Sequence, residues 1–170
     1  KHLFRARGIG AGDIVTLRSD YSLEGISALF ALFDLNAIVA PIAEVSGDEA
    51  RLRRDEAHAD WEIDLREAPS FKHFGPPQAK HEFVQALASK SNPGLILFSS
   101  GSTGKPKAMI HNAASLLTPF KKKRPRKHRI LIFLLFDHIG GLNTLFNGLA
   151  SGSLIVVPES RDASVVAATI

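Results

Sequence analysis

Ile96-Leu97-Phe98-Ser99-Ser100-Gly101-Ser102-Thr103-Gly104-Lys105-Pro106-Lys107 runs from an apolar segment into four hydroxyl side chains, two glycines and two lysines. The apolar part reads as a strand. The residues after it gather backbone N–H groups, hydroxyl donors and two cationic heads at one end of that strand. A polyphosphate suits such a loop, because its oxygens take many short charge-assisted hydrogen bonds. The order is not that of a Walker A loop, which separates two glycines by four residues and puts a Ser or Thr after the lysine to hold magnesium. Here two residues lie between Gly101 and Gly104, and Pro106 follows Lys105. A Ser/Gly-rich surface turn is the competing reading, since these residues favour turns for purely local reasons. The order of strand, hydroxyl–glycine loop, paired lysines and then a candidate helix over Asn112–Phe120 favours the phosphate loop.

Outward from this stretch, strand and helix signals alternate, which predicts an α/β fold with a layered sheet and flanking helices. Glycines at 8, 10 and 12 supply a turn before a strand over Asp13–Leu17, and their place ahead of the strand argues against a dinucleotide fingerprint. Ser22–Asn36 reads as a helix, with Ser22 as N-cap and Leu23, Ile26, Phe30 and Phe33 on one face. Asn36 is expected to take a left-handed conformation before Ala37–Pro41 re-enters the sheet. Asp48–Ala59 is a charged, water-facing helix, and Trp61–Leu65 a short strand. Three prolines and a glycine between Arg66 and Lys80 predict a connection with little regular structure. His81–Ser89 reads as a helix, Leu95–Phe98 as a strand, Ile130–Phe136 as a fully buried strand, Leu142–Ala150 as a helix and Leu154–Val157 as a strand. A last helix begins near Asp162 and reaches Ile170 without a cap, so the chain reads as part of a longer protein.

A chain of 170 residues can bury a core and usually forms one domain. The apolar run Ile130–Phe136 is far too short to span a bilayer. The chain opens on Lys1, so the sequence leaves a preceding segment open. The absence of cysteine excludes a disulfide framework and thiol nucleophiles, and fits a reducing compartment such as the cytoplasm. His111, His128 and His138 lack metal-ligand spacing, so no metal site is expected within the chain. Lys121-Lys-Lys-Arg-Pro-Arg-Lys-His-Arg129 carries seven positive charges and leaves the rest at −3, so one segment makes the net charge +4. Three readings stay open for it: a solvated loop, a nucleic-acid or localisation patch, and a landing place for a phosphate-bearing substrate or cofactor. It lacks the interleaved aromatics that stack bases, which counts against nucleic acid.

Phe98–Lys107 resembles the phosphate-binding signature of the adenylate-forming superfamily, which includes acyl- and aryl-CoA ligases, luciferases and the adenylation domains of peptide synthetases. Weaker similarity extends over Gly10–Leu17, Ala31–Pro41, Phe136–Asn143 and Leu149–Val157. The resemblance implies that residues 1–170 are a partial N-terminal AMP-binding domain. It implies ATP-dependent activation of a carboxylic acid as an acyl-adenylate, followed by thioester formation with coenzyme A. It further implies that Ser99, Ser100, Gly101, Ser102, Thr103, Gly104, Lys105 and Lys107 contact the ATP phosphates, with Lys107 catalytic and Lys105 equally suited to solvent. His138 resembles the histidine lining the carboxylate pocket in many CoA ligases, with Asp137, Gly140 and Gly141 beside it. A plain helix-start role for His138 is the alternative. Asp137 also resembles the aspartate that holds the amine in amino-acid-activating members. An amino-acid adenylation fragment and a non-catalytic module reusing the fold therefore remain alternative readings. The magnesium-binding acidic residue, the ribose-binding aspartate, the domain hinge and the catalytic lysine of the C-terminal domain are expected downstream of Ile170. One departure stands at Ala108, where members usually carry Gly.

Overall fold

Short apolar runs bounded by turn residues become the strands of this chain, and the segments between them become helices. The computed structural model describes residues 1–75, 79–100 and 105–169. In chain order the elements are α1 (His2–Ala6), β1 (Ile14–Arg18), α2 (Leu23–Phe33), β2 (Ile38–Ile42), α3 (Gly47–Glu56), β3 (Trp61–Asp64), β4 (Ser70–His73) and α4 (Glu82–Ser89). There follow β5 (Gly94–Ser100), β6 (Pro106–Asn112), α5 (Ala113–Leu117), β7 (Arg129–Leu131), α6 (Ile139–Ala150), β8 (Leu154–Val156) and α7 (Ala163–Thr169). The expected α/β architecture is the one adopted. The chain divides into two compact units, Lys1–Leu116 and Leu117–Ile170.

In the first unit six strands form one sheet in the order β4-β3-β1-β2-β5-β6. The inner four are parallel, and β4 and β6 close the edges in antiparallel sense. β2 is buried along its whole length, as parallel strands covered on both faces are. Pro41 is tolerated in this inner strand because the β2–β5 ladder pairs Ile38 with Gly94 and Val39 with Leu95 and goes no further. Glycine is required at 94, where an added Cβ would stand 2.8 Å from Ile38 Cγ1.

Ser22 caps α2 as expected, its Oγ accepting the Gly25 N–H at 2.9 Å. The helix ends in a Schellman motif in which the Ala37 N–H donates to Leu32 O and the Asn36 N–H to Phe33 O. Asn36 supplies the left-handed residue at φ +58°. The buried face differs from the expected one. Gly25, Ala28, Leu29, Leu32 and Phe33 point inward, whereas Leu23 is 78% exposed. Small residues set this orientation by letting the helix approach the 19–20 turn. A Cβ at Gly25 would lie 2.5 Å from the Asp20 carbonyl oxygen and 2.2 Å from Ser19 Oγ. Gly25→Ala is therefore expected to destabilise the chain by about 1–3 kcal/mol, as overpacking does, although helix propensity alone favours Ala by about 1 kcal/mol. Urea denaturation reads the sign directly, and a more stable variant would contradict this packing.

Two edge strands depart from expectation. Ser70–His73, inside the segment read as loop, pairs antiparallel with β3, with Trp61 opposite His73. Its ring contacts, Trp61 with His73 at 4.4 Å and Phe4 with Phe71 at 6.2 Å, hold a strand that lacks apolar alternation. Pro106–Asn112, read partly as loop and partly as the start of a helix over Asn112–Phe120, is β6. The helical part is only α5, followed by a 3-10 turn at Thr118–Phe120.

The second unit pairs β7 with β8 in parallel, Arg129 opposite Leu154, with α6 between them in sequence. Ile130–Phe136 is not a fully buried strand. Only Arg129–Leu131 are strand, Ile132 and Phe136 are buried, and Phe133, Leu134 and Leu135 are 37–49% exposed. Among the described residues no helix is long and apolar enough to cross a membrane.

Candidate functional site

Antiparallel pairing of β5 with β6 builds the candidate phosphate site. The ladder runs from Gly94 opposite Asn112 to Ser100 opposite Pro106, with Ser99 facing Lys107 and Phe98 facing Ala108. Ser99 and Ser100 therefore continue a strand rather than open the loop. Directly opposed residues project from the same face, so the Ser99 and Lys107 side chains leave the sheet on one face near the end of the hairpin. Ser99 is half-buried, and Lys105 and Lys107 are exposed. Among the described residues neither lysine has a carboxylate within ion-pairing distance, which leaves both charges for an incoming anion. Gly101, Ser102, Thr103 and Gly104 lie outside the described residues. Ala108 is exposed on β6.

Sequence reading missed what lies behind this hairpin. Arg53 of α3 stands over the Phe98 ring at 5.6 Å and is bound to Glu49 at 2.5 Å. The Glu-x-x-x-Arg spacing was legible as a helical ion pair, but its contact with Phe98 depends on the tertiary packing of α3 on β6.

Asp137, His138, Gly140 and Gly141 lie in the second unit, where the irregular segment after β7 enters α6. His138 is the N-cap, its Nδ1 accepting the Gly140 N–H at 3.0 Å. The helix thus begins earlier than expected. With Nδ1 accepting, the ring proton belongs on Nε2, which supplies one N–H donor from an exposed residue. A Cβ at Gly140 would meet Leu134 Cδ1 at 2.9 Å and His138 Nδ1 at 3.1 Å, so glycine there lets the imidazole fold onto the helix start. Gly141 is buried, and Asp137 is half-buried.

Two further charged clusters are structural in character. Arg66 donates to both Asp64 carboxylate oxygens, at 2.9 and 2.6 Å, with Arg18 at 3.4 Å. The Arg66 hydrogen bond holds the Asp64 carboxyl below its usual range, against the opposing effect of partial burial. Lys80 joins Asp60, Asp13 and the Gly12 carbonyl.

The basic segment 121–129 is exposed throughout. It is pinned in the middle, where the Arg126 N–H donates to Ser151 O at 2.8 Å and Ser153 Oγ donates to Arg126 O at 2.6 Å.

Residues 44–170 match the family described as AMP-binding enzyme, three quarters of the chain. The chain belongs to the AMP-binding enzyme family. Within that family, 93 residues are 37% identical to malonamoyl-CoA synthetase of Penicillium aethiopicum, covering 52% of this chain and 13% of that protein. Identity to a nonribosomal peptide synthetase of Aspergillus fumigatus is 29% over 186 residues, 94% of this chain and 8% of that protein. The fold matches o-succinylbenzoate CoA synthetase of Bacillus subtilis, solved with its acyl-adenylate intermediate, at a TM-score of 0.66 and 18% identity. That alignment covers 98% of this chain and 48% of the synthetase. The AMP-binding segment seen here thus spans about half of that structure and a small part of each curated relative.

Proposed function

We propose that the protein containing this chain uses ATP to activate a carboxylic acid as its acyl-adenylate and passes the acyl group to the thiol of coenzyme A. In the first step a carboxylate oxygen attacks the α-phosphorus, the bond to the bridging oxygen breaks, and pyrophosphate leaves with that electron pair. In the second the thiol adds to the acyl carbonyl and AMP departs, the thiol proton passing to solvent. Both reactants of the first step are anions, so the site must hold them together and offset their charge. The observation that carries this reading is the Ser99–Lys107 pair at the end of the β5–β6 hairpin of an AMP-binding enzyme. Lys107 supplies the ammonium that stabilises charge growing on the leaving pyrophosphate. Ser99, Ser100, Ser102 and Thr103 supply hydroxyl donors, Gly101 and Gly104 allow close backbone approach, and Lys105 adds positive potential. Nε2–H of His138 donates to the acid, with Asp137, Gly140 and Gly141 shaping its surroundings. Among the described residues no group of three or more His, Asp or Glu side chains is placed to hold a metal ion.

The CoA outcome is supported by likeness to two CoA synthetases, and the amino-acid alternative by likeness to a peptide synthetase. Asp137 separates them. With an aryl or acyl acid, Asp137→Asn is expected to leave substrate Kd nearly unchanged, because no ammonium needs a partner. With an amino acid the same change strands a buried ammonium and costs about 2–5 kcal/mol. Calorimetry on the full-length protein reads the difference, and a loss of that size confined to amino acids would replace the CoA reading.

The exposed, pinned segment 121–129 favours a second reading, a binding module that has kept the fold without the chemistry. Nucleic-acid binding that falls steeply between two salt concentrations, in a protein lacking ATP-dependent activity, would support it.

A further inference from the structure

We infer that Arg53 is a positioning residue for the β5–β6 hairpin, acting through Phe98; the inference rests on the polyphosphate reading of that hairpin. Phe98 is the last apolar side chain of β5 before the hydroxyls begin. It packs against the buried cluster of Ile14, Ile38, Ala40, Ala57, Val84 and Ile96. Arg53 covers its other side. The guanidinium lies 5.6 Å from the ring centroid, held by Glu49 one turn earlier on α3, and the side chain is only 18% exposed. A cation over a ring gains from such partial withdrawal from water, and the packed stem adds apolar contact.

The geometry says why this matters for Lys107. Side chains alternate across a strand, so Phe98 and Ala108 project toward α3 while the next pair, Ser99 and Lys107, projects from the opposite face. Arg53 therefore touches no phosphate itself. It fixes the tilt of the Phe98–Ala108 pair, and that tilt sets the direction in which Ser99 and Lys107 leave the sheet. β6 is an edge strand, paired on one side only. The packing of α3 against it supplies restraint that a second strand would otherwise give.

The test compares the full-length protein with Arg53→Met, Phe98→Leu and the double variant in ATP–pyrophosphate exchange and in amide hydrogen exchange. Each single change is expected to raise KM for ATP about tenfold, the scale of a small misplacement of catalytic groups, with KM for the acid unchanged. The double variant is expected to be no worse than either single one, because both remove one contact. A merely stabilising Arg53 would lower the active fraction and leave KM for ATP alone. An unchanged KM for ATP, or effects that multiply, would overturn the inference. Should the wild type show no exchange with any acid, the adenylation reading fails and amide exchange still decides the positioning. Equal acceleration at Ser99 and Lys107 in both single variants supports it, and wild-type protection there overturns it.

Discussion

Lys107→Ala in the full-length protein is expected to lower kcat/KM for acyl-adenylate formation by about 10²–10³-fold, the cost of removing one preorganised donor from a developing oxyanion. The fold should survive, because Lys107 is exposed on an edge strand and its backbone, not its side chain, makes the ladder with Ser99. Its ammonium has no ion-pair partner among the described residues, so its loss leaves no uncompensated charge behind. Lys105→Ala should cost far less, since Lys105 precedes the paired part of β6 and has no strand partner to orient it. Single-turnover measurement of adenylate formation, with circular dichroism to verify folding, distinguishes the two lysines. Equal rates for wild type and Lys107→Ala would remove Lys107 from the chemistry.

The largest stability effect is expected at Lys80, far from the hairpin in sequence. Its Nζ lies 2.9 Å from Asp60 Oδ2 and 3.7 Å from Asp13 Oδ1, and donates to the Gly12 carbonyl at 2.6 Å. Asp60 is 7% exposed, and its carboxylate also accepts the Ile14 N–H at 2.7 Å. One ammonium thus ties the turn before β1 to the start of β3. Lys80→Met keeps the packed stem and strands the Asp60 charge, which is expected to cost about 3–5 kcal/mol. Adding Asp60→Asn should recover part of that loss, because the buried charge goes while the amide oxygen can still accept from Ile14. Urea titrations of the single and double variants measure both quantities. A loss below about 1 kcal/mol for Lys80→Met would show that water already compensates Asp60.

Much of the fold was legible because local chemistry and tertiary structure agree in the inner strands and helix caps. Ile14–Arg18 and Ile38–Ile42 are short apolar runs between turn residues, Ser22 precedes a helical run, and Asn36 stands where a left-handed residue is needed. The edge strands were not legible. Lys-Ala-Met-Ile-His-Asn over 107–112 has no apolar alternation, and it becomes a strand because β5 offers it a ladder. Ser70–His73 likewise owes its state to β3 and to ring contacts. The face of α2 was misassigned because Leu23, Ile26 and Phe30 outrank Gly25 and Ala28 in hydrophobicity, whereas close approach to the 19–20 turn selects the small residues. In the candidate site the phosphate signature and the His138 segment were legible as motifs. Their supports were not, since Arg53 reaches Phe98 only through the packing of α3 on β6, and Nδ1 capping of α6 needs the fold of Gly140 against the imidazole.

The activity proposed for the protein containing this chain is the making of acyl-adenylates from ATP and a carboxylic acid. Acid-dependent exchange of labelled pyrophosphate into ATP, catalysed by the full-length protein across a panel of aryl and fatty acids, tests it most directly. The expected result is exchange that requires one class of acid and is lost in Lys107→Ala. A folded full-length protein that catalyses no exchange with any carboxylic acid, amino acids included, would contradict it.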